Sequence, residues 1–319
     1  MSLVSIIAPC YNGDKYLDRF FLSLLNQDFK DFEIFFIDDG STDNTKNVAM
    51  KFVEDFKKIN ITLNYIFKEN GGAASAINVA FNQNLSGKYL FILDSDDELP
   101  SNSISEKVKF METHRDYGAC TGYYKFIDND SLKTLKIDKS RGISNNKHKT
   151  TKNIILAKNI AFPGYFFNKD KLFSVLKNNK IFESKQGQNW QLLIPISYNF
   201  RIGIIPKVLY NYYVIKSSHS HSIKNTIDEQ IKRVEGLHKI QINTLDSIKA
   251  KEIYYLYAKK FKYNHLISIA YKLGNKNLMK ESVKQYKKNV GCLSLKNIIK
   301  FLFVMLGLKN TSGKERENN

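Results

Sequence analysis

The chain has 319 residues, of which 43% are hydrophobic and 13% aromatic, and this composition excludes an intrinsically disordered protein. Its net charge of +18 is uneven, because residues 1–100 carry 9 basic and 15 acidic side chains while the remainder carries 40 and 16. A basic second part points to an anionic partner, and nucleic acid, anionic lipid and phosphorylated substrates all qualify. The three cysteines lack metal-binding spacing, and no stretch is typical of a signal peptide or approaches the ~20 apolar residues of a membrane span. We therefore expect a cytoplasmic protein with reduced thiols.

Apolar runs alternate with amphipathic runs over the first hundred residues. Strands are predicted at 3–8, 33–37, 61–67 and 89–93. Helices are predicted over 15–27, from Ser41 or Thr42 to about residue 58, and from 70 to about residue 84. This β-α-β-α-β-α-β order predicts an α/β fold, with a mostly parallel sheet and helices on both of its faces.

Polar residues follow each of the predicted strands. The four segments are Pro9–Gly13, Asp38–Asp43, Glu69–Gly72 and Asp94–Glu98. Each segment alone is equally typical of a turn or a helix cap, but right-handed crossovers place all four at one edge of the sheet. We therefore expect one cleft to be shared by Tyr11, Asp38, Asp39, Asn70 and Asp94–Asp97.

Three carboxylates crowd the turn after the fourth strand: Asp94, Asp96 and Asp97. Like charges at this spacing repel one another, and a hard divalent cation that bridges to phosphates supplies the usual counter-charge. A solvated acidic turn is the alternative. No G-x-G-x-x-G or Walker loop follows the first strand, so the common fingerprints of dinucleotide and ATP sites are absent.

Four motifs in chain order resemble those of the family-2 inverting glycosyltransferases of the GT-A fold. They are Pro9-Cys-Tyr-Asn-Gly, Asp38-Asp-Gly-Ser-Thr-Asp, Glu69-Asn-Gly-Gly and Leu93-Asp-Ser-Asp-Asp. The resemblance is close over residues 1–100 and looser to about residue 222. It implies a Rossmann-like GT-A domain over 1–222, with a nucleotide-sugar-binding half (1–100) and an acceptor-side half (101–222). The motifs are specific for the fold and the donor class and uninformative about the sugar.

The resemblance also implies roles for individual residues. Tyr11 would stack on the nucleotide base, Asp39 would hydrogen-bond it, and Asp94 would meet the ribose. Asp96, together with Asp94, would hold Mn²⁺ or Mg²⁺ against the diphosphate. The other nucleotide-binding candidates in these loops are Pro9, Asn12, Asp38, Asn70 and Gly71. Further along the chain, His219 and His221 would reach the diphosphate or complete the metal shell, with a solvated polar loop as the alternative.

Two positions depart from the family pattern. Ala76-Ile-Asn78 lacks the arginine that many members carry before the asparagine, so a base contact from that arginine is missing. Gln188-Asn189 stands where many relatives have Glu-Asp, whose aspartate is the general base. An amide cannot accept a proton at neutral pH, so we expect these two residues to orient the acceptor. Glu183, six residues before Asn189, is the candidate base.

The rest of the acceptor-side half is less regular. A helix is predicted over 103–115, and strands are predicted at 117–127 and 210–214. Residues 133–152 are polar and basic without a period, which predicts a mobile loop over the cleft. Trp190, the only tryptophan, either covers an acceptor ring or fills the core beneath the helix that opens at Gln188. We favour the first and assign Trp190 to acceptor binding.

Residues 223–319 form a basic region that is helical in character. Its interleaved basic and aromatic residues could bind nucleic acid, but a packed helical appendage with a solvated face is the more common meaning. Residues 295–308 are strongly apolar and too short to span a bilayer. They predict either a helix in the membrane interface, with basic neighbours facing anionic lipid, or a helix packed on the core.

The sequence thus predicts a metal-dependent glycosyltransferase of the hexosyl or N-acetylhexosaminyl type. It would move a sugar, with inversion, from a UDP-type nucleotide-diphosphate donor to a hydroxyl of a glycan or lipid-linked acceptor. We expect a role in cell-surface polysaccharide assembly, no nucleic-acid partner, and a cytoplasmic location or a peripheral one on the inner face of the membrane. The alternative is a catalytically silent relative that binds nucleotide-sugar as a scaffold, which the amides at 188–189 would explain.

Overall fold

The computed structural model describes residues 2–184, 186–215 and 226–308. The internal contacts of the chain divide it into two units, residues 1–221 and residues 222–319. The first unit combines a sheet with helices, and the second is helical over its described residues.

The described strands of the first unit form one sheet. They are β1 (Val4–Cys10), β2 (Phe32–Asp38), β3 (Leu63–Phe67), β4 (Tyr89–Ile92), β5 (Tyr117–Asp128), β6 (Thr134–Asp138), β7 (Phe166–Asn168) and β8 (Arg201–Val214). Their order is β3-β2-β1-β4-β7-β5-β6, and β8 pairs with β5. Strands β1 to β4 are parallel, β7 is antiparallel to β4 and β5, and β8 runs parallel to β5. The predicted mostly parallel sheet is therefore confirmed.

Helices pack against both the parallel strands of this sheet and the strands beyond them. The described ones are α1 (Leu17–Leu25), α2 (Thr45–Lys58), α3 (Ala73–Phe81), α4 (Ser103–Thr113), α5 (Lys147–Ile155), α6 (Lys169–Val175) and α7 (Gln188–Asn199). Nearly every side chain of β1, β2 and β4 is buried, as expected for apolar strands that are covered on both faces. Helix α1 buries Leu17, Phe20, Phe21 and Leu24, whose spacing of three and four residues forms one apolar face.

The prediction of a mobile loop over residues 133–152 is wrong. Strand β6 pairs antiparallel with β5, and α5 begins within the stretch at Lys147. Four of the five side chains of β6 are exposed, so the strand has no buried face and leaves no alternation in the sequence. Strand β8 is longer than predicted because its first half contains Pro206 and pairs with β5 through register shifts, which obscure the strand pattern.

The second unit consists of helices over its described residues. They are α8 (Ile227–Ser247), α9 (Glu252–Leu273), α10 (Lys276–Asn289) and α11 (Leu295–Met305). A capping box formed by Thr226 and Glu229 begins α8. Helices α9, α10 and α11 share an apolar core that includes Ile267, Met279 and Val304. None of the helices that the structure describes combines the length and the apolar character needed to cross a membrane.

Candidate functional site

Hydrogen bonds join the loops that follow β1 and β2. The backbone N–H of Asn12 donates to Ser41 Oγ (2.9 Å), and the N–H of Thr42 donates to Asn12 Oδ1 (2.8 Å). The N–H of Gly13 also donates to Thr45 Oγ1 at 2.9 Å. Just before Asn12 and Gly13, the side chain of Tyr11 is 49% exposed. An exposed ring on a fixed backbone is suited to the predicted stacking on a base.

Asp38 supports the loop after β2 from within the fold. Its side chain is buried, and it accepts hydrogen bonds from the Ser41 N–H (2.8 Å) and the Tyr65 hydroxyl (2.5 Å). The Tyr65 hydroxyl ties the loop to β3. Both carboxylate oxygens of Asp38 therefore have partners in the fold, and a contact with the nucleotide stays a prediction.

Asp39 joins the loop after β2 to the start of α3. Its buried carboxylate accepts from Lys68 Nζ (2.6 Å), the Gly71 N–H (3.0 Å) and the Gly72 N–H (2.7 Å). The Asn70 side chain donates in turn to the Asp39 backbone carbonyl at 2.9 Å. A carboxylate at a helix N-terminus satisfies unpaired N–H groups and is favoured by the helix dipole. Because a carboxylate can accept about four hydrogen bonds, capacity remains for the predicted base contact.

The acid loop, residues 94–98, follows β4 at the same edge of the sheet. It meets the end of β1 through a hydrogen bond between the side chains of Ser95 and Cys10, the last residue of that strand. Burial and the neighbouring Asp96 raise the pKa of Asp94 to about 7. Burial also raises the pKa of Asp96, although its own backbone and the nearby Arg19 act in the opposite direction. Asp94 and Asp96 are therefore neighbouring carboxylates with little access to water, and too little positive charge lies nearby to balance them.

Asp97 and Glu98 anchor the acid loop to β8. Asp97 is 2% exposed, and it accepts from the Tyr210 hydroxyl and the Tyr213 N–H, both at 2.8 Å. Glu98 pairs through its backbone with Asn211 and accepts from the Tyr213 hydroxyl at 2.7 Å. The three acids of the sequence motif therefore differ in role: Asp97 is bonded into the fold, while Asp94 and Asp96 remain partly exposed.

Arg19 of α1 packs against the acid loop. Its guanidinium donates to the backbone carbonyl of Asp96 and to Asn129 Oδ1, the latter at 3.2 Å. The guanidinium also lies over the Tyr213 ring, 3.4 Å from its centroid. Its Nε is buried without a hydrogen-bond partner in the described structure. One side chain thus connects α1, the acid loop, the turn after β5 and the end of β8.

The carboxylate oxygens of the acid loop are suited to bind a divalent cation that is also bound by the phosphates of a substrate. In the residues that the structure describes, no group of three or more His, Cys, Asp or Glu side chains is placed to hold a metal ion. Asp94 and Asp96 instead offer two hard carboxylates. Mg²⁺ is commonly held by one or two carboxylates, with substrate phosphates and water as its other ligands, and Mn²⁺ shares this preference for oxygen. The unbalanced charge of the two carboxylates is consistent with such an ion.

The candidate acceptor side lies at the start of α7. Gly187 precedes the helix in the left-handed backbone region (φ 78°), which glycine adopts without a steric penalty. Gln188 and Asn189 form the first turn and are partly exposed, and Glu183 is exposed on the segment that leads to the helix. Their catalytic and orienting roles stay predictions.

Two buried amides hold the backbone just before Glu183. Asn78 of α3 donates to the Ile181 carbonyl (2.9 Å) and accepts from the Ile181 N–H (3.0 Å). Gln191 of α7 pairs in the same way with Phe182, at 2.9 Å and 2.5 Å. Each side-chain amide thus pairs with the backbone N–H and C=O of one residue, as a neighbouring β-strand would. Glu183 therefore leaves a backbone that is fixed between α3 and α7.

The assignment of Trp190 to acceptor binding is corrected. Its side chain is 7% exposed, and its Nε1 donates to the Ile154 carbonyl at 2.8 Å. The indole also packs edge-to-face with Phe162, with ring centroids 5.2 Å apart. A ring with so little free surface cannot cover a sugar, so Trp190 fills the core, which was the other alternative.

His219 and His221 lie outside the described residues, so their roles stay predictions. Arg19, Asn78 and Gln191 were not predicted as parts of the site. The available signal was a polar residue within an apolar helix, as for Asn78 and Gln191, but such a pattern does not name the partner. Arg19 left no comparable signal.

The sequence matches a known family model. Residues 5–176, more than half of the chain, match Glycosyl transferase family 2. A Haemophilus influenzae protein described as an uncharacterized glycosyltransferase is 33% identical over 38% of this chain and 49% of its own length. The Campylobacter jejuni GalNAc(5)-diNAcBac-PP-undecaprenol beta-1,3-glucosyltransferase is 30% identical over 61% of this chain and 59% of its own length. The chain thus spans about half the length of these relatives.

Solved structures share the fold. S. aureus TarS 1-349 in complex with UDP-GlcNAc has a TM-score of 0.65 at 18% identity, over 96% of this chain and 91% of that one. The mannosyltransferase PcManGT from Pyrobaculum calidifontis, in complex with GDP-Man and Mn²⁺, has a TM-score of 0.56 at 16% identity, over 96% and 80%. These likenesses confirm the predicted GT-A type of α/β fold.

Proposed function

The chain belongs to glycosyl transferase family 2, and from this we propose that it transfers a sugar from a nucleotide-diphosphate donor to an acceptor hydroxyl, with inversion. One observation carries the proposal. The loops after β1, β2 and β3 are hydrogen-bonded to one another, and the acid loop after β4 is bonded to Cys10 at the end of β1. Ligands of open α/β sheets bind at this edge.

We assign the donor to these four loops. Tyr11 would stack on the base, and Asp39, Asn70 and Gly71 would form the polar side of the base site. Asp94 and Asp96 would hold Mg²⁺ or Mn²⁺, which when bound neutralises negative charge as it develops on the leaving diphosphate. Solved structures of the same fold contain UDP-GlcNAc, or GDP-Man with Mn²⁺, and this supports a nucleotide-sugar donor.

Inversion requires a group that removes the acceptor proton on the side of the sugar opposite the diphosphate. The amides of Gln188 and Asn189 can bind and orient a hydroxyl but cannot take its proton. We therefore propose that Glu183 is the base. Its position after the amide-held residues Ile181 and Phe182 supports this role, because a base must be held within hydrogen-bond reach of its proton.

We further propose a lipid-linked glycan as the acceptor, and a place in cell-surface polysaccharide assembly. The support is the Campylobacter relative, whose name describes an undecaprenol-linked acceptor. A peripheral location at the membrane agrees with such an acceptor.

A catalytically silent nucleotide-sugar-binding protein is the second candidate. The observation that favours it is the pair of amides at 188–189 in place of acids. Binding of a nucleotide-sugar without hydrolysis or transfer, across a panel of donors and acceptors, would support this candidate over the first.

Asp96→Ala tests metal-bridged donor binding. We expect the variant to lose Mn²⁺-dependent binding of UDP, because one of the two carboxylates that hold the cation is removed. Calorimetric titration with UDP, with and without Mn²⁺, measures the effect. Asp116→Ala is the matched control. Asp116 is an exposed aspartate that forms an ion pair with Arg201, with 3.4 Å between the charged atoms. If Asp96→Ala binds UDP with the same Mn²⁺ dependence as the unmodified protein, the assignment is wrong.

A further inference from the structure

Helix α11 is fixed to the second unit by one of its faces. The Asn297 side chain donates to Asn264 Oδ1 (2.7 Å), and Lys300 Nζ donates to Ser268 Oγ (2.6 Å). Val304 is 5% exposed and belongs to the apolar core of the unit. These residues are spaced at three and four positions, so they form a single inner face. The inner face alone therefore accounts for these contacts of α11 with the rest of the second unit, and they do not involve the opposite face of the helix.

The opposite face of α11 is also apolar, and it is exposed. Its side chains are spaced at positions i, i+3, i+4, i+7, i+8 and i+11, which form a continuous stripe on a helix. Each of them is between 40% and 73% exposed. We call this the outer stripe, and it consists of Leu295, Ile298, Ile299, Leu302, Phe303 and Leu306. A soluble protein rarely leaves large apolar side chains adjacent in this way, and such patches mark surfaces that bind a partner or a membrane.

The charge around the outer stripe indicates what covers it. From Ser282 to Leu308 the chain has five lysines, of which Lys300 is bonded to Ser268 on the inner face, and no acidic residue. A second copy of this chain would bring the same positive charge against it, which is unfavourable. A nucleic acid would match the charge but would leave the leucines and phenylalanine in water. An anionic lipid surface matches both features, because its headgroups attract lysine and its acyl chains accept the apolar stripe.

We propose that α11 lies in the plane of an anionic lipid bilayer, with the outer stripe inserted at the boundary between headgroups and acyl chains. The helix has 11 residues and is about 16 Å long, so it cannot cross a hydrocarbon core of about 30 Å. Its inner face stays on α9 and α10, which positions the second unit at the membrane surface. The proposal does not depend on the activity proposed above.

Vesicle binding by matched variants tests the proposal. Ile299→Gln/Leu302→Gln removes two stripe residues that are 46% and 48% exposed, and glutamine keeps the helix propensity high. Leu22→Gln/Met50→Gln is the control, because these residues are 49% and 47% exposed on other helices. Cosedimentation with vesicles of phosphatidylglycerol and phosphatidylcholine gives the partition coefficient. We expect about a tenfold or larger fall for the stripe variant and no change for the control.

A probe on the unmodified sequence gives a second measurement that needs no substitution. Cys292 is exposed and lies just before α11, whereas Cys10 and Cys120 are buried, so an environment-sensitive fluorophore will label Cys292 selectively. We expect its emission to shift to the blue when anionic vesicles are added. The shift should be weaker with phosphatidylcholine alone and at high salt, because the lysines then lose their attraction to the surface.

Three results would overturn the proposal. The first is no cosedimentation and no blue shift of the unmodified chain with anionic vesicles. The second is equal vesicle binding by the stripe variant and the unmodified chain, which would assign the binding to the lysines alone. The third is a dimer that the stripe variant abolishes, seen by analytical ultracentrifugation without any vesicle binding, which would make the stripe an interface between two copies.

Discussion

The guanidinium of Arg19 makes several contacts at once that a lysine could not make together. It donates to Asp96 and Asn129 and stacks on Tyr213. A planar fork is needed for this combination, since an ammonium group is a compact point charge on a flexible stem. We therefore expect Arg19 to hold the conformation of the acid loop through its geometry as well as its charge.

Arg19→Lys and Arg19→Gln separate shape from charge. We expect both variants to weaken Mn²⁺-dependent UDP binding about tenfold, because a single stacked and hydrogen-bonded group contributes about 1–2 kcal/mol. Titration of UDP at fixed Mn²⁺ gives the affinity. Arg201→Lys is the control, since Arg201 is an exposed arginine paired with Asp116. Normal affinity in Arg19→Lys would mean that charge alone matters, and tighter binding by Arg19→Gln would mean that Arg19 only repels the cation.

Glu183→Gln and Asn189→Ala distinguish a base from a residue that orients the acceptor. We expect Glu183→Gln to lower kcat at least tenfold without weakening donor binding, because a positioned base contributes about 10²–10⁴-fold. Asn189→Ala should mainly raise KM for the acceptor. Steady-state kinetics on the acceptor measure both parameters. Normal turnover by Glu183→Gln together with an inactive Asn189→Ala would place the mechanism at the amide.

The sequence predicted which loops lie together, but it did not predict the different contacts of the individual residues in them. The three acids after β4 look alike in the sequence, yet Asp97 is buried and bonded to Tyr210 and Tyr213, while Asp94 and Asp96 remain partly exposed. The difference arises from β8, more than a hundred residues away. Local pattern contains no information on such a partner, and the same limit explains the misassigned Trp190.

At the scale of elements, α4 contains a lysine whose whole side chain is buried. Lys107 Nζ donates to Ser103 Oγ (2.7 Å) and to the Leu209 carbonyl (3.2 Å), which connects α4 to β8. Burial lowers the pKa of Lys107 to about 7. Lys107 therefore links α4 to β8, and near neutral pH a large share of it carries no charge.

Lys107→Met should change how stability depends on pH. Between about pH 7 and 10.5 the unfolded chain binds the Lys107 proton more strongly than the folded one, so the free energy of unfolding of the unmodified protein rises with pH. The slope due to this group approaches about 1.4 kcal/mol per pH unit. The variant should lack this slope and be more stable at pH 7, since Ser103 still donates to Leu209 at 2.7 Å. Urea unfolding at pH 7 and pH 9.5 measures both effects.

Lys109→Met is the matched control for this experiment, because Lys109 is exposed on the same helix. Its pH dependence should follow that of the unmodified protein. If Lys107→Met is destabilised at pH 7 and keeps the original slope, Lys107 is charged in the fold and its hydrogen bonds outweigh the cost of burial.

The pattern of apolar residues predicted most elements, because the helices bury one apolar face and the central strands are apolar on both faces. Helices α1 and α2 and strands β1, β2 and β4 all lie within a few residues of their predicted bounds. The failures are elements without such a face. Strand β6 is exposed on nearly all its side chains, and residues 181–182 obtain their backbone hydrogen bonds from two side-chain amides rather than from a strand. Neither arrangement leaves a period in the sequence.

At the scale of the whole chain, the two units on either side of residues 221 and 222 differ in the charge of their side chains. The first unit includes the acidic loops at the sheet edge, and the second has sixteen basic against six acidic side chains over residues 226–308. The amino-acid composition is enough to predict this contrast. It does not predict that the apolar residues of α11 are divided between two opposite faces, because that division depends on contacts with α9.

The attachment of the acid loop to β8 has a consequence for the order in which the protein is made. Tyr210 and Tyr213 lie 113 and 116 residues after Asp97, their hydrogen-bond partner. At about 5–20 residues per second, a ribosome adds these tyrosines roughly 5–25 seconds after the loop itself. During that interval the nascent chain contains all three acids and the first four strands, but Asp97 has no anchor. The proposed donor site is therefore incomplete while only the amino-terminal half has emerged, and Asp97 gains these two partners only when β8 joins the sheet.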